Sequence, residues 1–209
     1  MTHKLSINDL QDGLKELGEA AANAGKIIDL AIYGGSCLML VSNFRVASED
    51  VDAVAATDQP FIDKIAKAIA KRKSWPQDWL NDGVKTYLSP KVDLPDAHTL
   101  FATYPSEAKP GLRVFVPTAE YMLAMKLMAL RIDEISGNKD KEDITNLIKI
   151  VNIKSKADLI ALAAQYYPEA KVSAKLHLAA DHLIALSKTP TERHEPPEYL
   201  GRRSSGMER

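Results

Sequence analysis

The sequence predicts an α+β fold, a mixed sheet with helices followed by a helical C-terminal part. Two observations predict it. Up to Pro117, runs rich in β-branched and aromatic residues alternate with amphipathic helical patterns; from Thr118 onward only helical patterns recur. A length of 209 residues suits one domain, or one domain with a helical extension. We therefore expect a core over 1–117, a helical part over 118–188 that completes the site, and a disordered tail over 189–209, rich in Pro, charge and small polar residues.

Leu10, Leu14, Leu17 and Ala21 recur at helical spacing, so Ser6 to Ala24 is expected as an amphipathic helix closed by Gly25. "KIIDLAIY" (26–33) reads as a strand, and "SCLMLVS" (36–42) as a short buried helix closed around Asn43. "DVDAVAA" (50–56) alternates acidic and apolar residues and reads as a second strand. Gln59-Pro60 opens the next helix, with proline in its favoured first turn. Short strands are expected at "VKTYLS" (84–89) and "HTLFATY" (98–104), and a clear one at "GLRVFVP" (111–117). Thr118 caps a nearly all-apolar helix, "AEYMLAMKLMALRI" (119–132), and further helices follow at 139–151, 155–168 and 168–187.

Composition narrows the function classes. Hydrophobic residues make up 45% and charged residues 26%, as in soluble globular proteins. Lys+Arg number 27 and Asp+Glu 28, so no overall basic bias marks a nucleic-acid binder, although a local patch stays open. Cys37 is the only cysteine, which rules out an intrachain disulfide framework and fits a reducing compartment. No apolar run nears the roughly 20 residues that span a bilayer, and the polar start is not that of a signal peptide. A cytoplasmic protein without a membrane partner is expected.

Four motifs carry chemistry. Gly34-Gly35-Ser36 joins a strand to a helix, where glycines let an anion approach and the first N–H groups and helix dipole favour it. Ser36 adds a hydroxyl for phosphate or for capping. A purely structural turn accounts for the same residues. Asp50 and Asp52 stand two apart on a predicted strand, on one face, where two carboxylates repel unless a cation or solvent separates them. Such a pair suits Mg²⁺, which keeps waters and borrows phosphate oxygens; an exposed polar strand edge is the plainer alternative. Lys126 lies inside an apolar helix, so it either snorkels or meets an anion, with Arg131 near the same edge. Asp140 and Asp143 follow at i, i+3 on one helix face, where they also suit a helix dipole.

The order of these motifs is more specific than any one of them. "GGSCLML", Arg45, "SEDVDAV", "WLND" (79–82), "AMKLMALR" and "KDKEDITNL" together resemble the AbiEii-type nucleotidyltransferases, within the polymerase-β-like nucleotidyltransferase superfamily. The resemblance runs from Ile32 to Leu147. It implies a nucleotidyltransferase that moves a nucleoside monophosphate from an NTP to an acceptor. Under it Asp50 and Asp52 hold Mg²⁺, while Gly34, Gly35, Ser36, Arg45 and Lys126 bind the nucleotide. Asp143, and after it Asp140, orients Lys126 or accepts a proton. It further implies an RNA acceptor, tRNA among the candidates, and a toxin with a cognate antitoxin. The sequence departs from the superfamily in one respect: "LRVFVP" carries no third carboxylate facing the pair, and Asp82, Asp93 and Asp96 lie elsewhere. Two alternatives follow, a weak or inactive nucleotide-binding module and an enzyme that nucleotidylates a protein or small molecule.

Overall fold

The computed structural model describes residues 4–42, 45–94, 96–130, 136–172 and 174–188, with only the backbone at 136–139, 170 and 175. The expected tail (189–209), the helix stop at Asn43, and Arg131 lie outside the described residues. The chain forms two compact units: the described residues of Met1–Leu40 with Arg45–Thr118, and those of Val41–Phe44 with Ala119–Arg209. The expected α+β class is what these residues form.

The first unit opens with a two-residue strand, β1 (Leu5–Ser6), and helix α1 (Ile7–Asn23). Ser6 starts α1 through a capping box: its hydroxyl accepts from the Asp9 N–H, and the Asp9 carboxylate accepts from the Ser6 N–H at 2.9 Å. Leu10, Leu14, Leu17 and Ala21 are buried, as their spacing requires. The main sheet has the order β5-β4-β2-β7-β6, formed by β2 (Ile28–Ile32), β4 (Val51–Ala55), β5 (Leu80–Asn81), β6 (His98–Ser106) and β7 (Lys109–Pro117). β2 is antiparallel to β4 and parallel to β7, so the sheet is mixed. Arg113 of β7 donates to both oxygens of Asp29, its register partner on β2, at 2.6 and 2.7 Å. α1 packs on β6 and β7, while α3 (Gln59–Lys73) packs on α1, β4 and β5. A second small sheet pairs β1 with β3 (Ala47–Ser48).

The "VKTYLS" strand does not form. Gly83–Tyr87 is a 3-10 helix instead. Bonds within the segment satisfy its backbone: Lys85 N–H donates to Asp82 O, Leu88 N–H to Lys85 O, and Gly83 N–H to the Asn81 side chain. The Asp82–Lys85 ion pair (2.6 Å) adds to that local closure.

The second unit is helical. α4 (Ala119–Met128) is buried from Tyr121 to Met125, so an all-apolar sequence does sit in a core. α5 (Ser136–Val151) and α6 (Lys156–Tyr166) pack on it, and α7 (Ala174–Lys188) packs on α5 and α6. Ser155 and Asp158 form a second capping box, and Tyr121 stacks on Tyr166 with centroids 5.0 Å apart. The helix expected over 168–187 is not continuous from Pro168: the chain there makes a short 3-10 turn, Glu169–Lys171, and the described helix spans Ala174–Lys188. Among the described residues no helix is long and apolar enough to cross a membrane.

Candidate metal and nucleotide site

In the first unit, β2 ends at Ile32 and the chain turns at Tyr33 into helix α2, Gly34–Val41. The two glycines therefore lie inside the first turn of α2 rather than before it. Gly34 has φ +64°, the left-handed region that favours glycine. It is also crowded: a Cβ there would lie 2.6 Å from Asp52 Oδ2. A Cβ on Gly35 would meet Arg45 Nη1 at 3.1 Å and its Cδ and Cζ at 3.3 Å. Each missing side chain thus makes room for a charged group. Asp52 lies against the first glycine and the Arg45 guanidinium against the second.

Tyr33 is the joint of this turn. Its N–H donates to Asp52 O at 2.8 Å, which ties the start of α2 to β4. Its carbonyl accepts from Cys37 N–H (3.2 Å) and from the Ser36 hydroxyl (3.1 Å). Ser36 is 1% exposed and directs its one hydroxyl proton inward. In this arrangement Ser36 supports the turn and does not offer that proton to a phosphate. The Tyr33 ring is buried against His98, edge to face, with its hydroxyl 2.9 Å from His98 Nε2. His98 Nδ1 lies 2.7 Å from the Asp96 carbonyl, which accepts, so Nδ1 carries the proton and Nε2 receives the Tyr33 hydroxyl. Burial lowers the His98 pKa below its ordinary value, against the opposing pull of Asp96.

Asp50 stands just before β4, whose ladder starts at Val51, so only Asp52 of the pair is on the strand. The Val51 N–H donates to Trp79 O, and β5 then runs parallel to β4 with Val51 opposite Leu80 and Asp52 opposite Asn81. Asn81 Nδ2 donates to Asp50 Oδ2 at 3.0 Å. Desolvation by surrounding protein raises the Asp50 pKa; the Asn81 bond opposes this, and the charges of Glu49 and Asp78 add to it. Although the residue is solvent-exposed as a whole, its carboxyl is flanked closely enough to feel this crowding.

"WLND", whose role the sequence leaves open, now has one. Trp79 is fully buried, its Nε1 donates to Ala66 O at 2.9 Å, and its ring meets Trp75 edge to face. The ring also fills the space over Gly13 of α1, where a Cβ would come within 2.6 Å of it. Trp79 thus anchors β5 to α1 and α3, and β5 delivers Asn81 to Asp50. A two-residue strand carries no periodicity, so only the resemblance pointed at this segment.

In the second unit, Lys126 neither snorkels nor stands alone. Its side chain is 13% exposed, and Nζ lies 2.9 Å from Asp140 Oδ1 and 2.8 Å from Asp143 Oδ2. Asp143 is 3% exposed. The i, i+3 carboxylates of α5 are brought together on one lysine of α4.

Mg²⁺ takes one or two carboxylates and completes its shell with waters and phosphate oxygens. Asp50 and Asp52 supply two carboxylates, the number such an ion takes, one bonded to Asn81 and the other against Gly34. Among the described residues no group of three or more His, Cys, Asp or Glu side chains is placed to hold a metal ion. β7 carries no acid, its Arg113 stands opposite Asp29 near the start of β2 and away from the Gly34 turn, and the exposed Asp93 and Asp96 lie off the strands.

No family model matches the chain, and no curated protein matches it. The chain is similar to an antigenic nucleotidyltransferase-like protein from Paracoccidioides brasiliensis known from a crystal structure, at 16% identity and a TM-score of 0.40, over 89% of this chain and 91% of that one. What the site does is read from its own residues.

Proposed function

We propose that the chain is a Mg²⁺-dependent nucleotidyltransferase. The observation that supports this most is the pairing of opposite charges at one turn: Asp52 against Gly34, Arg45 against Gly35. A guanidinium beside the first N–H groups of a helix attracts a phosphate, and carboxylates beside them attract a cation. A metal-bound polyphosphate carries both charges in one ligand. The motif order that resembles AbiEii-type enzymes narrows that ligand to a nucleoside triphosphate.

In this proposal Arg45 and the Gly34 and Gly35 N–H groups bind and orient the phosphates, and Ser36 holds the turn rigid through Tyr33. Asp50 and Asp52 would hold Mg²⁺, which would neutralise charge that develops on the phosphates during transfer. Catalysis of phosphoryl transfer is chiefly positioning and charge stabilisation, which are the services these residues offer. An RNA acceptor such as tRNA, a cytoplasmic toxin role and a cognate antitoxin belong to the same proposal and rest on the sequence resemblance alone. The test is Mg²⁺-dependent transfer of label from α-labelled NTP to cellular RNA, protein or small-molecule fractions, run beside nucleotide binding. Transfer to none of these, with chelator-insensitive binding, would overturn it.

A second reading has one observation in its favour. With two carboxylates and no acid on β7, the site suits binding a metal-nucleotide without turnover. Binding with no transferred label would select it.

A further inference from the structure

We infer that Asn81 is the positioning residue that sets Asp50 beside Asp52 as a cation-binding pair. The inference rests on the metal reading of those two carboxylates. Asp50 precedes the β4 ladder, so no strand hydrogen bonding fixes its side chain. Asn81 does this from the neighbouring strand. It is the register partner of Asp52, and register partners on adjacent strands share a sheet face at about 5 Å. From there its Nδ2 reaches Asp50 Oδ2 at 3.0 Å. Asn81 is thus next to one carboxylate by register and bonded to the other by its amide.

The amide is itself oriented. Gly83 N–H donates to Asn81 Oδ1 at 2.9 Å, which leaves Nδ2 as the end facing Asp50. Trp79, two residues earlier, locks the strand to Ala66 and Gly13. One oxygen of Asp50 is therefore held by a neutral donor, which orients the carboxylate and leaves its charge to meet a cation. A neutral amide suits this place: a lysine would neutralise the carboxylate, and an aspartate would repel it. Partners that orient metal ligands in this way commonly change metal affinity about 10- to 100-fold when removed.

The experiment uses the full chain with Asn81→Ser and Asn81→Ala. A serine hydroxyl can still accept from the N–H two residues on, so Asn81→Ser keeps the bond to Gly83 but falls short of Asp50. Asn81→Ala loses both bonds, and the serine variant serves alone if alanine fails to fold. Thermal melting is recorded against Mg²⁺ with an equimolar mixture of the four nucleoside triphosphates, and metal-free melting reports the fold. Transfer rates are measured over the same Mg²⁺ range. Both variants should need about 10- to 100-fold more Mg²⁺ for the half-maximal melting shift. Their transfer rates at saturating Mg²⁺ should return to within a few fold of wild type, which general damage to the fold would not allow. A wild-type Mg²⁺ midpoint in Asn81→Ser overturns the inference alone, since the loop bond then carries the effect. No Mg²⁺-dependent shift in the wild type overturns the metal reading and this inference with it.

Discussion

Replacing Lys126 by Met tests how the helical unit is held together. The ammonium is 13% exposed and bridges Asp140 and Asp143, whose side chains are 23% and 4% exposed. Methionine fits the apolar surroundings of α4, but it removes the cation that two carboxylates share. Removing one partner of a buried ion pair costs about 3–5 kcal/mol, because the remaining charge has no compensation. Asp140 retains enough solvent contact to recover part of that; Asp143 does not. We therefore expect about 3 kcal/mol, near the lower end, or roughly 6–12 °C in melting temperature at about 2–4 °C per kcal/mol. The assay is thermal and urea unfolding of wild type, Lys126→Met and Lys126→Met/Asp143→Leu without nucleotide. The double variant should recover much of the loss, since an apolar replacement of a whole buried pair is often close to neutral. If Lys126→Met melts within 2 °C of wild type, the lysine is snorkelling and the buried triad does not exist in solution. If the double variant is worse than the single, the loss comes from packing and not from a stranded charge.

Other outcomes follow from the first unit. Asp50→Asn and Asp52→Asn should each reduce Mg²⁺-dependent transfer to background while circular dichroism and metal-free melting stay near wild type; chelation should do the same to the wild type. Gly35→Val should displace Arg45 and weaken NTP binding by at least tenfold, which calorimetric titration would read. Ser36→Ala should leave that affinity within about twofold and instead lower stability by about 1 kcal/mol, through loss of one buried hydrogen bond. His98 should make stability depend on pH. Its folded pKa lies below that of the unfolded chain, so the unfolded state binds the extra proton first. The His98 contribution is then present above about pH 6.5 and is lost as pH falls from there through the folded value. Melting of wild type minus His98→Gln should show that loss as the pH is lowered from about 7, and a flat difference would refute the assignment.

Periodic segments were legible and short ones were not. Leu10, Leu14, Leu17 and Ala21 repeat over several turns, so α1 could be read and its core face named; the same is true of β2, β7 and α3. β1, β3 and β5 are two residues each, and nothing in two residues distinguishes a strand from a loop. The "VKTYLS" error has the same origin: Val84, Thr86 and Leu88 alternate as a strand would, but side-chain and backbone bonds close the segment on itself before any neighbour pairs with it. In the site, residue types were readable and their partners were not. Nothing in the spacing of Gly34, Gly35, Arg45 and Asp52 says that each glycine makes room for one of the two charges. Nor does sequence reveal that Ser36 points inward, because a serine after two glycines serves equally as cap, buried support or ligand.

The inward serine and the lack of an acid on β7 bear on the same question of how much of the site is chemistry. A phosphate cradle that relied on Ser36 would need its proton, and that proton is on the Tyr33 carbonyl. A two-metal clamp would need a third carboxylate, and β7 carries no acid along Lys109–Pro117. What remains is one cation, one helix N-terminus and two carboxylates, one of them steered by Asn81. In the proposed reaction that set would bind a single Mg²⁺-nucleotide and align its phosphates, while Asp143 and Asp140, the expected proton acceptors, are both paired with Lys126 in the helical unit. With both of those acids held by a lysine, we expect the attacking hydroxyl to lose its proton to a base that the acceptor supplies. A pH–rate profile that moves when the acceptor is changed, with the enzyme constant, is the expected sign of this. A profile fixed by the enzyme alone would mean that a side chain of this chain serves as the base.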